Sequence, residues 1–332
     1  MAVSFLPTLP GARKDAVQLM AGSTILATAL LGGTGQGPMA LIEPGVVTSP
    51  ISAAGYYVYQ SVVDENGTVY FVVDNGNAIY SLAKASSSPT LLPITGLDSP
   101  HGIDIDGDGT LYIAQNSYGT SIVTYNTVSG AQGAISLILP APYKPCSTAE
   151  YLYAVAVDDA GNLFALDIEC SQIFELKTDG TYVTTAIDPA ITGPNVLAVD
   201  AADNLFVGGS TINELTAGGV QTQINTVGAD ESLLADAADT LYATRYTGTG
   251  GVAELPPSNY SASAFALDPV SSPLGEGLGS DGTLYVGNYT SLDKVDRSQG
   301  LVAFGEQSAG VQSAAQSVSI YNGGNGPWVR LC

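Results

Sequence analysis

The chain has 332 residues, 45% of them hydrophobic and 12% charged, with 39 Gly and 18 Pro; that mixture fits a packed core wrapped in tight turns and excludes a disordered chain. Nine Lys and Arg against 31 Asp and Glu leave a net charge of −22, a field that repels phosphate backbones and sets nucleic acid aside as a partner. Three cysteines are too few for a disulfide scaffold, and no uncharged run reaches the length of a membrane span.

In chain order, the first feature is the stretch Ala16–Gly33, which follows Arg13 and Lys14 and imitates a signal peptide. Gln18, Gly22, Ser23 and Thr24 interrupt it, and no small-residue cleavage site follows. A repeat then begins. VVDENGTVYFVVD from Val62, IDIDGDGTLYIAQ from Ile103, VAVDDAGNLFALD from Val155, LAVDAADNLFVGG from Leu197, LLADAADTLYATR from Leu233 and GLGSDGTLYVGN from Gly277 share one plan. Each is a short apolar strand, an Asp/Gly/Asn turn and a second strand carrying an aromatic, which is the pattern of a hairpin. The turn column is Asp64, Asp106, Asp158, Asp200, Asp236 and Gly279, at spacings of 36–52 residues. The aromatic column is Tyr70, Tyr112, Phe164, Phe206, Tyr242 and Tyr285.

A third strand follows each hairpin, marked by an apolar pair such as Ile79/Leu82 or Ile173/Leu176, and a fourth apolar run closes most units, as at Thr90–Ile94 and Tyr182–Ile187. Four strands in about forty residues, without a helical period, predict an all-β, six-bladed β-propeller. The blades should run from about Ala54 to Phe304, with Thr24–Leu31 or Leu301–Phe304 supplying the strand that closes the last one.

These units resemble NHL repeats, which run as Pro-x-Gly-Ile-x-x-Asp, then Gly-Asn-Leu-Tyr-x-x-Asp, then Ile-x-x-Leu; SPHGIDIDGDGTLYIAQ (Ser99–Gln115) carries the likeness best. The fourth and fifth units depart from it, with Asp203 and Asp239 where the turn glycine belongs. The ends resemble something else. Leu301–Trp328 is similar to the opening strands, and Phe5–Pro38 to the closing strands, of the immunoglobulin-like repeats of large bacterial surface proteins. This implies short β segments of truncated immunoglobulin-like modules at both termini, a propeller at 54–304 flanked by residues 1–53 and 305–332, and an extracellular or cell-surface location.

In a propeller the starts of the inner strands and the ends of the second strands share one face around the central channel. Five places before the turn column stand Tyr59, His101, Tyr153, Asn195, Glu231 and Leu274, with Glu276 two residues further on. Nine places after it stand Val73, Gln115, Asp167, Gly209, Arg245 and Asn288. His101 is the only histidine, so imidazole chemistry must use it, while a residue merely filling the Pro-x-Gly turn is the plainer reading. A three-histidine zinc site is excluded by count, and no Gly-x-Ser-x-Gly elbow offers a nucleophile.

Glu231, Glu276, Asn195, Asp167 and Asn288 are hard-oxygen donors suited to Ca²⁺ or another divalent cation, an arrangement similar in outline to gluconolactonase and paraoxonase propellers. Asp104–Gly109 imitates the start of an EF-hand loop, but Gln115 replaces the glutamate at its twelfth place, which favours a hairpin turn. Cys146 and Cys170 bracket the third blade's first two strands on one face, and a disulfide between them is expected in an oxidising compartment.

The leading expectation is a monomeric, secreted binding or display module whose channel face, with Tyr59, Tyr153, Gln115 and Arg245, engages a small molecule, glycan or protein. The alternative is a metal-assisted hydrolase of lactones, esters or phosphotriesters, with His101 and Glu231 moving protons. A lyase ranks below both.

Overall fold

The computed structural model describes residues 4, 6–22, 24–52, 57–73, 76–117, 121–137, 151–187, 191–226, 228–245, 251–260, 272–300, 312–313 and 315–327. An N-terminal arm carries β1 (Gly11–Ala21), β2 (Thr24–Gly35), β3 (Ala40–Glu43) and β4 (Gly45–Ser52). Blade 1 is β5 (Val58–Val63), β6 (Val69–Val73), β7 (Ala78–Leu82) and β8 (Thr90–Leu91). Blade 2 is β9 (Pro100–Ile105), β10 (Thr110–Gln115), β11 (Ser121–Asn126) and β12 (Gln132–Ser136). Blade 3 is β13 (Leu152–Val157), β14 (Leu163–Asp167), β15 (Gln172–Leu176) and β16 (Tyr182–Ala186). Blade 4 is β17 (Val196–Val199), β18 (Leu205–Gly208), β19 (Ile212–Leu215) and β20 (Gln221–Asn225). Blade 5 shows β21 (Ser232–Ala235), β22 (Leu241–Arg245) and β23 (Gly251–Leu255) among the described residues. Blade 6 is β24 (Pro273–Leu278), β25 (Leu284–Asn288) and β26 (Ser291–Gly300), completed by β4; β27 (Ser319–Asn322) pairs with β3.

Each blade is an antiparallel meander, and the six apolar clusters lie one in each seam between neighbouring blades. Alternation along each strand sends successive side chains to the two seams beside it. In the seam between blades 3 and 4, for example, Phe164 and Leu166 meet Leu197 and Val207. A blade has no stable face of its own, so the ring must close for every seam to be filled.

Closure differs from the sequence expectation. The last blade is completed by β4, with Ile51 opposite Leu292 and Val47 opposite Val295. Thr24–Leu31 is instead part of β2 and pairs with β1 around a turn at Gly22, whose φ is +64°, while Leu301–Phe304 lies outside the described residues. The signal for β4 was present: the apolar positions Val47 and Ile51 match a closing strand, and they stand directly before the first inner strand, where ring closure requires them. The two ends of the chain do meet, through the β3–β27 ladder, but as a two-stranded ribbon and not as a sandwich among the described residues.

The turn column has a physical explanation. The first carboxylate oxygen of Asp64, Asp106, Asp200 and Asp236 accepts two backbone N–H groups of its own turn, and that of Asp158 accepts one. The second oxygen takes a hydroxyl from Tyr70, Tyr112 or Tyr242. Where the aromatic is Phe164 or Phe206 and has no hydroxyl, the amide of Asn162 or Asn204 donates in its place. The EF-hand likeness is thus a hairpin turn, since both oxygens of Asp106 are spent inside it. Asp203 and Asp239 hold the left-handed position, at φ +61° and +59°, a conformation aspartate tolerates better than most side chains.

The β1–β2 hairpin lies across the turn face. A side chain at Gly107 would collide with the backbone of Asp15, and one at Gly32 with the carbonyl of Asp159. Arg13 pairs with Glu65 at 3.2 Å and donates to the carbonyl of Ser280, and Lys14 donates to the carbonyl of Val157. Two cations are thereby set into a ring of turn carboxylates, and the hairpin and inner strands together enclose a cavity of 1340 Å³. The opposite mouth, called the open mouth because no strand of the described residues crosses it, carries the starts of the inner strands.

Candidate functional site at the open mouth

Part of the expected ring is brought into contact. Tyr59, His101 and Tyr153 stand at the starts of the inner strands of blades 1, 2 and 3, with ring centroids 5.0 Å apart for Tyr59–His101 and 3.9 Å for His101–Tyr153. Tyr151 stacks 6.3 Å from Tyr153, and Tyr57 meets Tyr289 edge-on at 5.1 Å. Blades 6, 1, 2 and 3 therefore present an aromatic arc. Blades 4 and 5 present Asn195, Asp230, Glu231 and Arg245, and Asn195, Asp230 and Arg245 line a separate pocket of 580 Å³. One side of the mouth is flat and weakly polar; the other is rich in donors and acceptors.

His101 is 2% exposed, clamped between its tyrosine neighbours, and neither ring nitrogen has a hydrogen-bond partner among the described residues. Burial lowers its pKa to about 3, so at neutral pH it is an uncharged aromatic plate and a weak base. Glu231 is half-buried. Burial first, and the charge of Asp230 second, raise its pKa to about 7, which suits it to hold or release a proton near neutrality.

Glu276 sits deeper. It is fully buried, neither carboxylate oxygen has a hydrogen-bond partner among the described residues, and burial raises its pKa to about 8. It lines the cavity beneath the hairpin, not the pocket that holds Asn195 and Arg245. Glu276 and the pair Asn195 and Arg245 thus line different pockets. A step of two residues along an extended strand moves a side chain about 6–7 Å, enough to change chambers.

The remaining expected residues are spent on architecture to different degrees. Asn288 accepts from the backbone of Thr290 and Ser291 and donates to Ser291 and Asp293. Asp167 gives one oxygen to the N–H groups of Tyr151, Glu169 and Cys170, and the other has no hydrogen-bond partner among the described residues. Gln115 accepts from the N–H of Asp98. Cys170 is disulfide-bonded, and both Cys146 and Cys332 lie outside the described residues.

The five proposed metal donors fit a divalent cation poorly. Asn288 has no free lone pair to offer, Glu276 lies in another chamber, and among the described residues no three His, Cys, Asp or Glu side chains converge to hold an ion. We derive no step through a metal.

Buried polar atoms without partners are rare in folded proteins and ask for an explanation. Here, among the described residues, they belong to His101, Asn195, Asp167, Glu276, Thr244 and Ser61 around the channel, and to Arg297 Nε; Glu43 Oε1 lacks a hydrogen bond but is ion-paired with Arg297. Sequence reading missed Ser61 and Thr244, although a signal existed. Ser61 stands in the column filled by Ile103, Val155, Leu197 and Leu233 in the next four blades and by Glu276 in the sixth, and Thr244 in the column of Val72, Ala114 and Leu166. Tyr151 was missed as well, though it lies two places before Tyr153 on the same strand face.

No known family's sequence model matches the chain, and no curated protein does. Solved structures match at the level of fold. A gluconolactonase from Xanthomonas campestris superposes with a TM-score of 0.61 at 14% identity, covering 87% of this chain and 97% of that one. The calcium-binding protein regucalcin from Agrobacterium tumefaciens gives 0.56 at 12%, covering 75% and 92%. Virginiamycin B lyase from Staphylococcus aureus gives 0.53 at 15%, covering 76% and 83%. Identities this low carry the six-bladed fold and nothing finer.

Proposed function

We propose that the open mouth binds a small ring-shaped molecule rich in hydroxyl groups, of the sugar or sugar-lactone class, within a secreted propeller of the NHL type. The observation that carries this reading is the split of the mouth into an aromatic arc and a polar half. A pyranose-like ring has an apolar face that stacks on tyrosine and a rim of hydroxyls that need partners. Tyr59 and Tyr153 serve the face, while Asn195 and Glu231 serve the rim. Saturable binding of glucose that is lost in Tyr153→Ala supports it; a glucose affinity indifferent to Tyr153→Ala removes it.

A second reading, hydrolysis of a bound lactone or ester, is favoured by Glu231 and by the gluconolactonase among the structures of similar fold. With a pKa near 7, Glu231 would take a proton from water as the water oxygen bonds to the carbonyl carbon. The acyl carbon–oxygen bond then breaks and the departing alkoxide takes up the proton. The base works when ionised, so turnover should rise with pH through about 7 and then level off. Glu231→Gln should lower kcat by roughly 10²–10⁴-fold. Lactone turnover that keeps its rate and pH profile in Glu231→Gln would exclude this mechanism, and a chelator control shows whether metal enters at all.

A further inference from the structure

The pocket between blades 4 and 5 contains a cation that forms no ion pair among the described residues. Of the three described arginines, Arg13 is paired with Glu65 and Arg297 with Glu43 and Glu254. The Arg245 side chain has no hydrogen bond or ion pair among the described residues, although the chain carries a net charge of −22. It is half-buried at the end of β22 and lines the 580 Å³ pocket with Asn195, Asp230, Ser210 and Thr226. In a protein with so many carboxylates, a guanidinium left unpaired in a concave site is placed for an anion that comes from outside.

Two further features define that anion. Asn195 donates its amide N–H to the carbonyl of Asp230 at 2.5 Å, which fixes the amide and leaves Oδ1 as an unpartnered acceptor. An acceptor beside a cation asks the ligand for a hydroxyl as well as a negative charge. The wall between them is bare backbone: a Cβ at Gly209 would lie 2.5 Å from the carbonyl oxygen of Gly193, and Gly193 itself has φ +60°. Side chains are excluded there, so a flat group can approach the main chain closely. Asp230 lines the same pocket and has partners of its own; its charge disfavours a dianion such as a phosphate monoester more than a single carboxylate.

We propose that Arg245 and Asn195 form a subsite for a hydroxy-carboxylate, so that the preferred ligand is a sugar acid with its carboxylate on Arg245 and its ring toward the aromatic arc. The inference rests on the mouth being the ligand site. Arg245 grips the carboxylate through paired N–H donors, Asn195 Oδ1 receives the neighbouring hydroxyl, and the uncharged sugar lacks the first of these contacts.

The test is calorimetric titration of four probes into the full chain: glucose as ring without charge, glucuronate as ring with carboxylate, lactate as hydroxy-carboxylate without ring, and glucose 6-phosphate as ring with a dianion. Glucuronate should bind at least tenfold more tightly than glucose. That preference should vanish in Arg245→Gln and be partly kept in Arg245→Lys, whose retained charge also guards against a trivial folding defect. Equal affinity for glucose and glucuronate, a preference that survives Arg245→Gln, or binding of glucose 6-phosphate in place of glucuronate would each overturn the inference. The failures are separable. Glucose binding that depends on Tyr153 without any carboxylate preference leaves the mouth reading standing and removes the subsite. Lactate binding that depends on Arg245 with no glucose binding supports the subsite and removes the sugar-ring reading.

Discussion

Arg297→Ala is expected to cost about 3–5 kcal/mol of folding stability, measured by urea unfolding at pH 8. Arg297 is fully buried, and its guanidinium lies 2.8 Å from Glu254, 3.1 Å from Glu43 and 2.7 Å from the hydroxyl of Tyr242, whose ring it also faces at 5.1 Å. These contacts join β26 of blade 6, the second and third strands of blade 5, and the end of β3 just before the closing strand. Removing the arginine leaves two carboxylates facing one another without a cation. Glu43, whose pKa burial and Glu254 already raise to about 7, would then be protonated more readily. The loss should therefore be larger at pH 8 than at pH 5. A loss below about 1 kcal/mol, within the range of surface pairs, would show that the cluster does not hold the ring closed.

The second large effect is a stability profile that falls as pH rises. Burial raises Glu276 to about 8, Glu231 and Glu43 to about 7, and Asp106, Asp159 and Asp236 to about 6. Each of these groups holds its proton in the folded state at a pH where the unfolded chain has released it. The stability so gained is fully present below the unfolded pKa values, near 4, and is lost as pH climbs through the folded ones. The melting temperature should accordingly fall between pH 5 and pH 8. Glu276 dominates because it is fully buried and raised furthest. At about 1.4 kcal/mol per unit, Glu276→Gln should stabilise the protein by about 2–4 kcal/mol at pH 8 and change little at pH 4.5. Destabilisation at pH 8 would mean that the ionised carboxylate is paired or solvated in the fold.

The fold was legible in the sequence because a propeller repeats its instructions. The turn aspartates, the aromatic column and the apolar pairs recur at fixed offsets, and each recurrence corresponds to a hydrogen bond or seam contact that the blade needs. Even the exchange of tyrosine for phenylalanine is matched four residues after the turn aspartate, where Asn162 and Asn204 replace Thr68, Thr110 and Thr240. Ring closure was less legible, since β4 is a single strand outside the repeat and competes with other apolar runs in the arm. The mouth ring followed from counting along the repeat, yet counting gives position along a strand and not depth or accessibility. It therefore placed Glu276 with Glu231, and it could not reveal that His101 is sealed between two tyrosines. Nor could the sequence show that Asn288 is consumed by its own turn while the Arg245 side chain pairs with none of the described residues.

The central claim is that ligand binds at the open mouth and not in the larger cavity beneath the β1–β2 hairpin. Crystals soaked with glucose and with glucuronate test it most directly through difference electron density. The account predicts a sugar ring against Tyr153, bridging toward Asn195, with the glucuronate carboxylate on Arg245. Density confined to the cavity under the hairpin, near Glu276 and Ser61, would contradict it.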